Sequence, residues 1–446
     1  MDIESKFGRE RHKLLEEVKE EVPGPKAMQK LAHVRREYDC AISDYLNTLS
    51  ILSDTTYQDR KHFLLELIQN ADDAQFSKDE AVLTFSIFED SIELRYNEDG
   101  FDVEDVIAIT GAGASTKTGK KRLSHSFIGE KGIGFKSVFA LASKVEIESP
   151  PWHFLLRKEK CIVPEIVNTG AMKAGDGTRL RVVFSDSGVV TAVATELDRY
   201  SSGEVESLLF LQRLSCFKVE DHRCAPPKIQ GVSLSPADRS GDVLTLKTFP
   251  DGRAREYLLY ARDEEFPANL VAERWERVGS EIGALKRKMI VAAILDTNEQ
   301  RMPEGGVFCF LPTKIKLPVP LFIQVDGHTK ADRERLHDPE QNSWNKHLLS
   351  LLPQFLLEAI LAWRGVPAIA ERLPVYIPTN EGTDQLAPVF STLMRRLRGS
   401  RWVRTLDEED GWVSPDRAII ADGFLSHWLA IDAQFREQAE RILNKK

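Results

Sequence analysis

Cysteine is scarce and unpatterned. The 446 residues hold five (Cys40, Cys161, Cys216, Cys224 and Cys309), an odd number without CxxC spacing. That argues against a disulfide framework or a zinc knuckle and fits reduced thiols in a cytosolic or nuclear compartment. Long apolar runs are also missing. The greasiest window, "HLLSLLPQFLLEAILAW" from His347, is broken by Pro353 and Glu358 and falls short of the ~20 residues of a membrane helix. It reads as a buried helix, and no membrane association is expected. The opening stretch, "MDIESKFGRERHKLLEEVKEEV", is charged throughout and lacks the apolar core of a secretory leader. Positive charge is in deficit, with 60 Lys and Arg against 69 Asp and Glu for a net charge of −9, which disfavours a broad nucleic-acid footprint.

What is present is a soluble, globular composition, 42% apolar and 29% charged, over a length that allows about two to four domains. Residues 1–50 are helix-forming, with Pro23, Gly24 and Pro25 as a break. From about 55 to 190 helices alternate with strands. The runs "AVLTFSIFE" and "SIELRYN" predict a β-hairpin turning near Glu89 and Asp90. A short helix, "DVEDVIAI", follows, then a long polar segment from Gly111 to Ser126, a glycine stretch and its helix, and the strands "KVEIES", "HFLLRKE" and "TRLRVVF". The pattern is α/β with antiparallel hairpins (α+β) and not a doubly wound βαβ array. A second region, 240–365, begins with strands and ends in the apolar helix after Trp344, a residue expected in the core. A third, 366–446, has a proline-rich entry and no obvious closing partner, so the chain is expected to stop partway through a longer protein.

Two stretches carry chemistry. In "HFLLELIQNADDA" the apolar residues Phe63, Leu64, Leu67, Ile68, Ala71 and Ala74 recur at helical spacing. Glu66, Asn70 and Asp73 form a polar stripe on the same helix; a solvated face is the plain reading of that stripe alone. In "FIGEKGIGFKSVF" the glycines run G-x-x-G-x-G, which fits neither a P-loop nor a dinucleotide fingerprint. Gly129, Gly132 and Gly134, with Ile133 and Phe135 beside them, would let backbone N–H groups approach phosphates at the start of a helix.

Taken in order, E-x-x-x-N-x-x-D on a helix, a "DG" turn after a strand, a polar segment, the glycine stretch and a later Gly-Thr resemble the GHKL, or Bergerat-fold, ATPases. "ELIQNADDA" and "FIGEKGIGFKSVF" look most like the heat-shock protein 90 branch. "NEDGFDVEDVIAITGAGASTK" and "FCFLPTKIKLPVPLFIQ" resemble its sacsin-like and NO VEIN-like members. The resemblance implies a two-layer sandwich of helices on a mixed sheet over 51–235, after an N-terminal helical segment (1–50). It implies an α/β middle domain over 240–365, and a linker leading to a further domain over 366–446.

The resemblance also implies roles. Asn70 would ligate Mg²⁺, Glu66 would orient or deprotonate the water attacking ATP, and Asp73 would bond a neighbour or the nucleotide. "GAGASTKTGKKRLSHS" would be the ATP lid, with Ser115, Thr116 and Lys117 touching nucleotide. The adenine-reading D-x-G-x-G is altered: with Gly100 as its second glycine, Tyr96 replaces the Asp and Glu98 the first glycine, leaving Asn97 or Asp99 as acceptor. Thr178 would lie near the base. In "KADRERLHD", Arg333, or else Arg335, would meet the γ-phosphate on domain docking. The function implied is slow Mg²⁺-dependent ATP hydrolysis driving lid closure, and association of two N-terminal domains, in chaperone-like or scaffolding work on proteins the sequence does not identify. A nucleotide-binding module without turnover is the alternative. Phosphotransfer is disfavoured because "LHDPE" at His337 has the wrong spacing, and DNA work is disfavoured by the acidic balance.

Overall fold

In the computed structural model the described residues are 3–39, 62–111, 134–168, 172–203, 206, 208–237, 242–274, 284–295, 304–330, 335–370, 372–377, 385–405 and 411–418. The break at Pro23–Pro25 separates two helices, α1 (Ile3–Glu20) and α2 (Pro25–Val34), and a π turn, Arg35–Asp39, follows. Val18, Ala27, Met28 and Leu31 of this segment join the same hydrophobic core as the sheet.

The apolar spacing of "HFLLELIQNAD" gives α3, His62–Asp72, with Phe63 to Gln69 all buried. The expected hairpin forms from β1 (Ala81–Ile87) and β2 (Ser91–Tyr96), paired antiparallel from Leu83 opposite Tyr96 to Ile87 opposite Ile92. It turns where Phe88 N–H donates to Ser91 O at 2.9 Å. Along β1 the strand alternates, with Ala81, Leu83, Phe85 and Ile87 buried and the residues between them half-buried, the mark of a sheet with one packed face.

Next come α4 (Val103–Thr110), a 3₁₀ turn (Gly134–Ala140), β3 (Ala142–Ser149), β4 (Trp152–Arg157), β5 (Lys160–Ile166), β6 (Thr178–Phe184) and α5 (Ser187–Ser201). The helix expected after the glycine stretch is thus a seven-residue 3₁₀ turn.

Then follow β7 (Leu214–Asp221), β8 (Lys228–Pro236), β9 (Val243–Phe249), β10 (Ala254–Phe266), α6 (Ala268–Arg274), β11 (Leu285–Ile294), β12 (Gly305–Cys309), β13 (Leu311–Leu317) and β14 (Leu321–Gln324). These fourteen strands make one mixed sheet in the order β13-β12-β14-β11-β10-β9-β8-β7-β1-β2-β6-β3-β4-β5. Its pairs are antiparallel except β1 with β7 and β12 with β14. An α+β architecture with a large mixed sheet is therefore present. β8 and β9, on either side of residues 238–241, pair antiparallel from Gly231 opposite Phe249 to Pro236 opposite Leu244.

The chain divides into two compact units, Met1–Leu317 with Leu321–Leu348, and Pro318–Pro320 with Leu349–Lys446. The helix α7, Ser343–Trp363, continues through Pro353. The second unit adds α8 (Pro367–Ala370), α9 (Ala387–Arg398) and a small hairpin of β15 (Val403–Arg404) and β16 (Trp412–Val413). Among the described residues, no helix is long and apolar enough to cross a membrane.

Candidate functional site

On α3, Glu66 is buried, with 3% of its surface exposed, and Asn70, one turn later, is half-buried. An acid at that depth is unusual on a helix whose neighbouring side chains are apolar. Asp73 follows the helix end half-buried, its N–H donating to Gln69 O at 2.9 Å. The residue beside it, Asp72, is 1% exposed. Its carboxylate accepts three backbone N–H groups from the chain entering β7: Gln212, Arg213 and Leu214, each at 2.9 Å. Burial pushes the Asp72 carboxyl upward against the pull of those three bonds. Asp72 thus fastens the end of α3 to β7, and the 66-70-73 spacing passes it over.

The exit of β2 sorts its polar residues by direction. Asn97 accepts Val82 N–H at 2.8 Å and donates to Glu80 O at 2.8 Å. Asp99 accepts Ser77 N–H at 2.9 Å and Ser77 Oγ–H at 2.8 Å, while its own N–H donates to Gln75 O. Both residues, expected as base acceptors, hold the α3–β1 connection to the end of β2. Glu98, between them, points the other way and is 3% exposed. It accepts the Thr178 hydroxyl and the Gly100 N–H. Thr178 is fully buried, with its Oγ1 2.6 Å from Ser149 Oγ, and Ser149 Oγ accepts Phe101 N–H at 2.7 Å. Burial raises the Glu98 carboxyl; the Thr178 and Gly100 bonds draw it down, and the Asp99 charge raises it further. Thr178 is the cross-strand partner of Tyr96, whose phenol burial holds well above its ordinary range, with the charges of Glu98 and Asp105 adding to the effect.

Two glycines make this junction possible. At Gly177 φ is +89°, and a Cβ would lie 2.2 Å from Tyr96 O, so only glycine lets the start of β6 meet the end of β2. Gly100 has φ +98°, which turns the chain from Glu98 toward α4. The structure therefore brings Glu98, Gly100 and Thr178 together. The missed residue, Glu98, was signalled by period two: Ile92, Leu94 and Tyr96 are buried on one face, and the alternation carries on to it.

At the glycine stretch, Gly134 opens the 3₁₀ turn and Phe135 packs half-buried, its ring 6.4 Å from that of Phe139 in an edge-on contact. Lys136 is 6% exposed. Its ammonium donates to Cys161 O and lies 5.7 Å and 5.9 Å from the Phe135 and Phe139 ring centres. Burial lowers its pKa to about 8, with the Cys161 thiol opposing and the Arg35 charge assisting. Ser115, Thr116, Lys117, Gly129, Gly132, Ile133 and Arg333 lie outside the described residues.

Arg335 is exposed. The two flanks of its segment are joined by Lys330 N–H to Arg335 O at 2.8 Å and His337 N–H to His328 O at 2.9 Å. Fully buried Asn345 clamps both, accepting His328 N–H at 2.7 Å and donating to His328 O and His337 O at 2.9 Å. Trp344 is buried, stacked on Phe266 at 4.0 Å. This segment leaves β14, six strand positions from β1, on the order of 30 Å along the sheet. Among the described residues, no group of three or more His, Cys, Asp or Glu could hold a metal. Asn70 offers a single amide oxygen, a donor set suited to an ion that takes most of its ligands from phosphate and water.

No protein-family model matches the chain. Protein NO VEIN of Arabidopsis thaliana is 27% identical over 431 residues, covering 86% of this chain and 15% of its own length. The chaperone protein HtpG of Halorhodospira halophila (strain DSM 244 / SL1) is 33% identical over 123 residues, 22% of this chain and 19% of its own length. The chain thus spans less than a fifth of either relative. These similarities fit the expected link to NO VEIN-like and heat-shock-protein-90-type chains.

Proposed function

We propose that the first unit is a nucleotide-binding module that takes ATP with Mg²⁺, hydrolyses it slowly, and uses the cycle to change shape in chaperone-like or scaffolding work. The observation that carries this reading is the buried Glu98–Thr178 pair. A carboxylate and a hydroxyl 80 positions apart are held together in the core, at the place where the resemblance puts the base. Glu98 would read the exocyclic amine of adenine as acceptor, with Thr178 orienting it. Asn70 would hold Mg²⁺, which supplies charge neutralisation at the phosphates. Glu66, buried one turn earlier, would orient or deprotonate the attacking water. The partial similarity to a protein named as a chaperone supports the cellular role; clients and association of two copies are part of the same proposal.

Calorimetric titration of the full chain with ATP, ADP and GTP plus Mg²⁺ tests it, with Asn70→Ala and Glu66→Ala beside the wild type. Saturable adenine-nucleotide binding is expected, weakened in Asn70→Ala. In Glu66→Ala binding should persist while phosphate release stops. No binding by the wild type would reject the proposal. Binding with no turnover in any variant would favour a scaffold module over an ATPase.

A further inference from the structure

Arg35 is among the largest fully buried side chains of the protein, 1% exposed, and no role in the site described so far uses it. A guanidinium stays charged in a protein, and burying one is costly unless its donors are satisfied. Arg35 reaches from the π turn after α2 into the last turn of α4. Nη2 donates to Ile107 O at 2.7 Å and Nε to Thr110 Oγ1 at 3.4 Å. Thr110, also fully buried, donates its hydroxyl to Val106 O at 2.7 Å. Carbonyls in a helix's final turn lack intrahelical partners and carry its negative end, so the cation is held by the groups best able to hold it.

The other end of α4 belongs to the base-reading junction. Asp102 caps the helix reciprocally with Asp105. The preceding residue, Phe101, donates its N–H to the same Ser149 Oγ that lies beside Thr178, and Trp152 Nε1 donates to Phe101 O at 3.0 Å. A helix of eight residues, about 12 Å of rigid rod, therefore connects Arg35 to the Glu98–Thr178 pair. In the N-terminal segment, α2 packs on β4 and β5, and α1 on α4. Arg35 is also close enough to Lys136 for its charge to be felt there, so one guanidinium bears on both α4 and the phosphate-side turn.

We infer that Arg35 is a positioning residue of the nucleotide site, holding α4 so that the Glu98–Thr178 pair keeps its register, and that the N-terminal helices are a working part of that site. This rests on the nucleotide-binding reading above. The test uses the full chain, with Arg35→Met, Arg35→Lys and Thr110→Val, measuring Kd and stoichiometry for ATP and GTP below each variant's melting temperature. Arg35→Met is expected to raise the Kd for ATP about tenfold and to narrow the ATP-to-GTP preference, with stoichiometry kept and Arg35→Lys partly restoring both. A merely structural arginine would lower the melting temperature and the bound fraction but leave Kd and base preference for the folded molecules unchanged, and that result would overturn the inference. If Arg35→Met does not fold, Thr110→Val decides: a rise of about threefold in Kd supports it, and an unchanged Kd sinks it. No binding by the wild type rejects the nucleotide reading itself, and the inference falls with it.

Discussion

Asn97, Glu98 and Asp99 are three consecutive polar residues with two destinations. The outer two hold Val82, Glu80 and Ser77 across the α3–β1 connection, and the middle one enters the core with Thr178. Composition does not separate them; the period of the preceding strand does, because successive side chains leave a β-strand on opposite faces. Substitution should therefore split by position. Glu98→Ala is expected to raise the Kd for adenine nucleotides at least tenfold, the loss of a buried charge-assisted bond of about 1.5 kcal/mol or more. Asn97→Ala should leave that Kd within about twofold and lower stability by about 1–2 kcal/mol through the unpaired Val82 and Glu80 groups. Calorimetry and denaturant melts on the same two proteins check both, and the reverse pattern would return the base to Asn97. Asp72 had no such local signal. Its three partners lie 140 to 142 positions away, and only the closed fold puts them beside it.

At the scale of elements, the polar and apolar spacing of the chain anticipates α3, the β1–β2 hairpin, α4, β3, β4 and β6 in order, while β5 (Lys160–Ile166) is not among the expected strands. The helix after the glycines is a further exception. Its seven residues close as a 3₁₀ turn, and within it Lys136 reaches Cys161 O on β5, a partner 25 positions ahead. Within α4, half-buried Asp105 caps Asp102 N–H at 3.1 Å, and its loss of solvent lifts its pKa to about 7, with the charge of Asp102 adding to the rise. A carboxyl raised in the folded state contributes its full share below the unfolded value near 3.9 and loses it as pH rises through about 7. Asp105→Asn keeps an acceptor for Asp102 N–H without a titrating group. At pH 8 it is expected to melt at least about 2 °C above the wild type, the gap shrinking toward pH 5. Thermal melts from pH 5 to pH 8 read this directly, and a gap that is flat across the series would exclude Asp105 as the source.

For the whole molecule the sheet matters more than any motif. Gly231 to Pro236 of β8 pair with Leu244 to Phe249 of β9, so a chain ending at residue 237 would expose the edge of β8, with its unpaired N–H and C=O groups. The piece 1–237 is expected to associate or to melt well below the piece 1–348, which retains the sheet. Size-exclusion chromatography and thermal melts distinguish them. A monomeric 1–237 melting within about 2 °C of 1–348 would mark an independent domain ending near residue 237.

The sequence by itself determined the order of most helices and strands of the first unit and the scarcity of patterned cysteine and long apolar runs, because periodicity and composition act over a few neighbouring positions. The tertiary structure decided which polar groups meet. It turned Glu98 inward to Thr178, engaged Asn97 and Asp99 with the α3–β1 connection, tied Asp72 to β7, planted Arg35 in the last turn of α4 and set β8 against β9. Each of these joins groups that are distant along the chain or settles which way a side chain points, and both are set by the closing of the core and by the demand that every buried polar group find a partner.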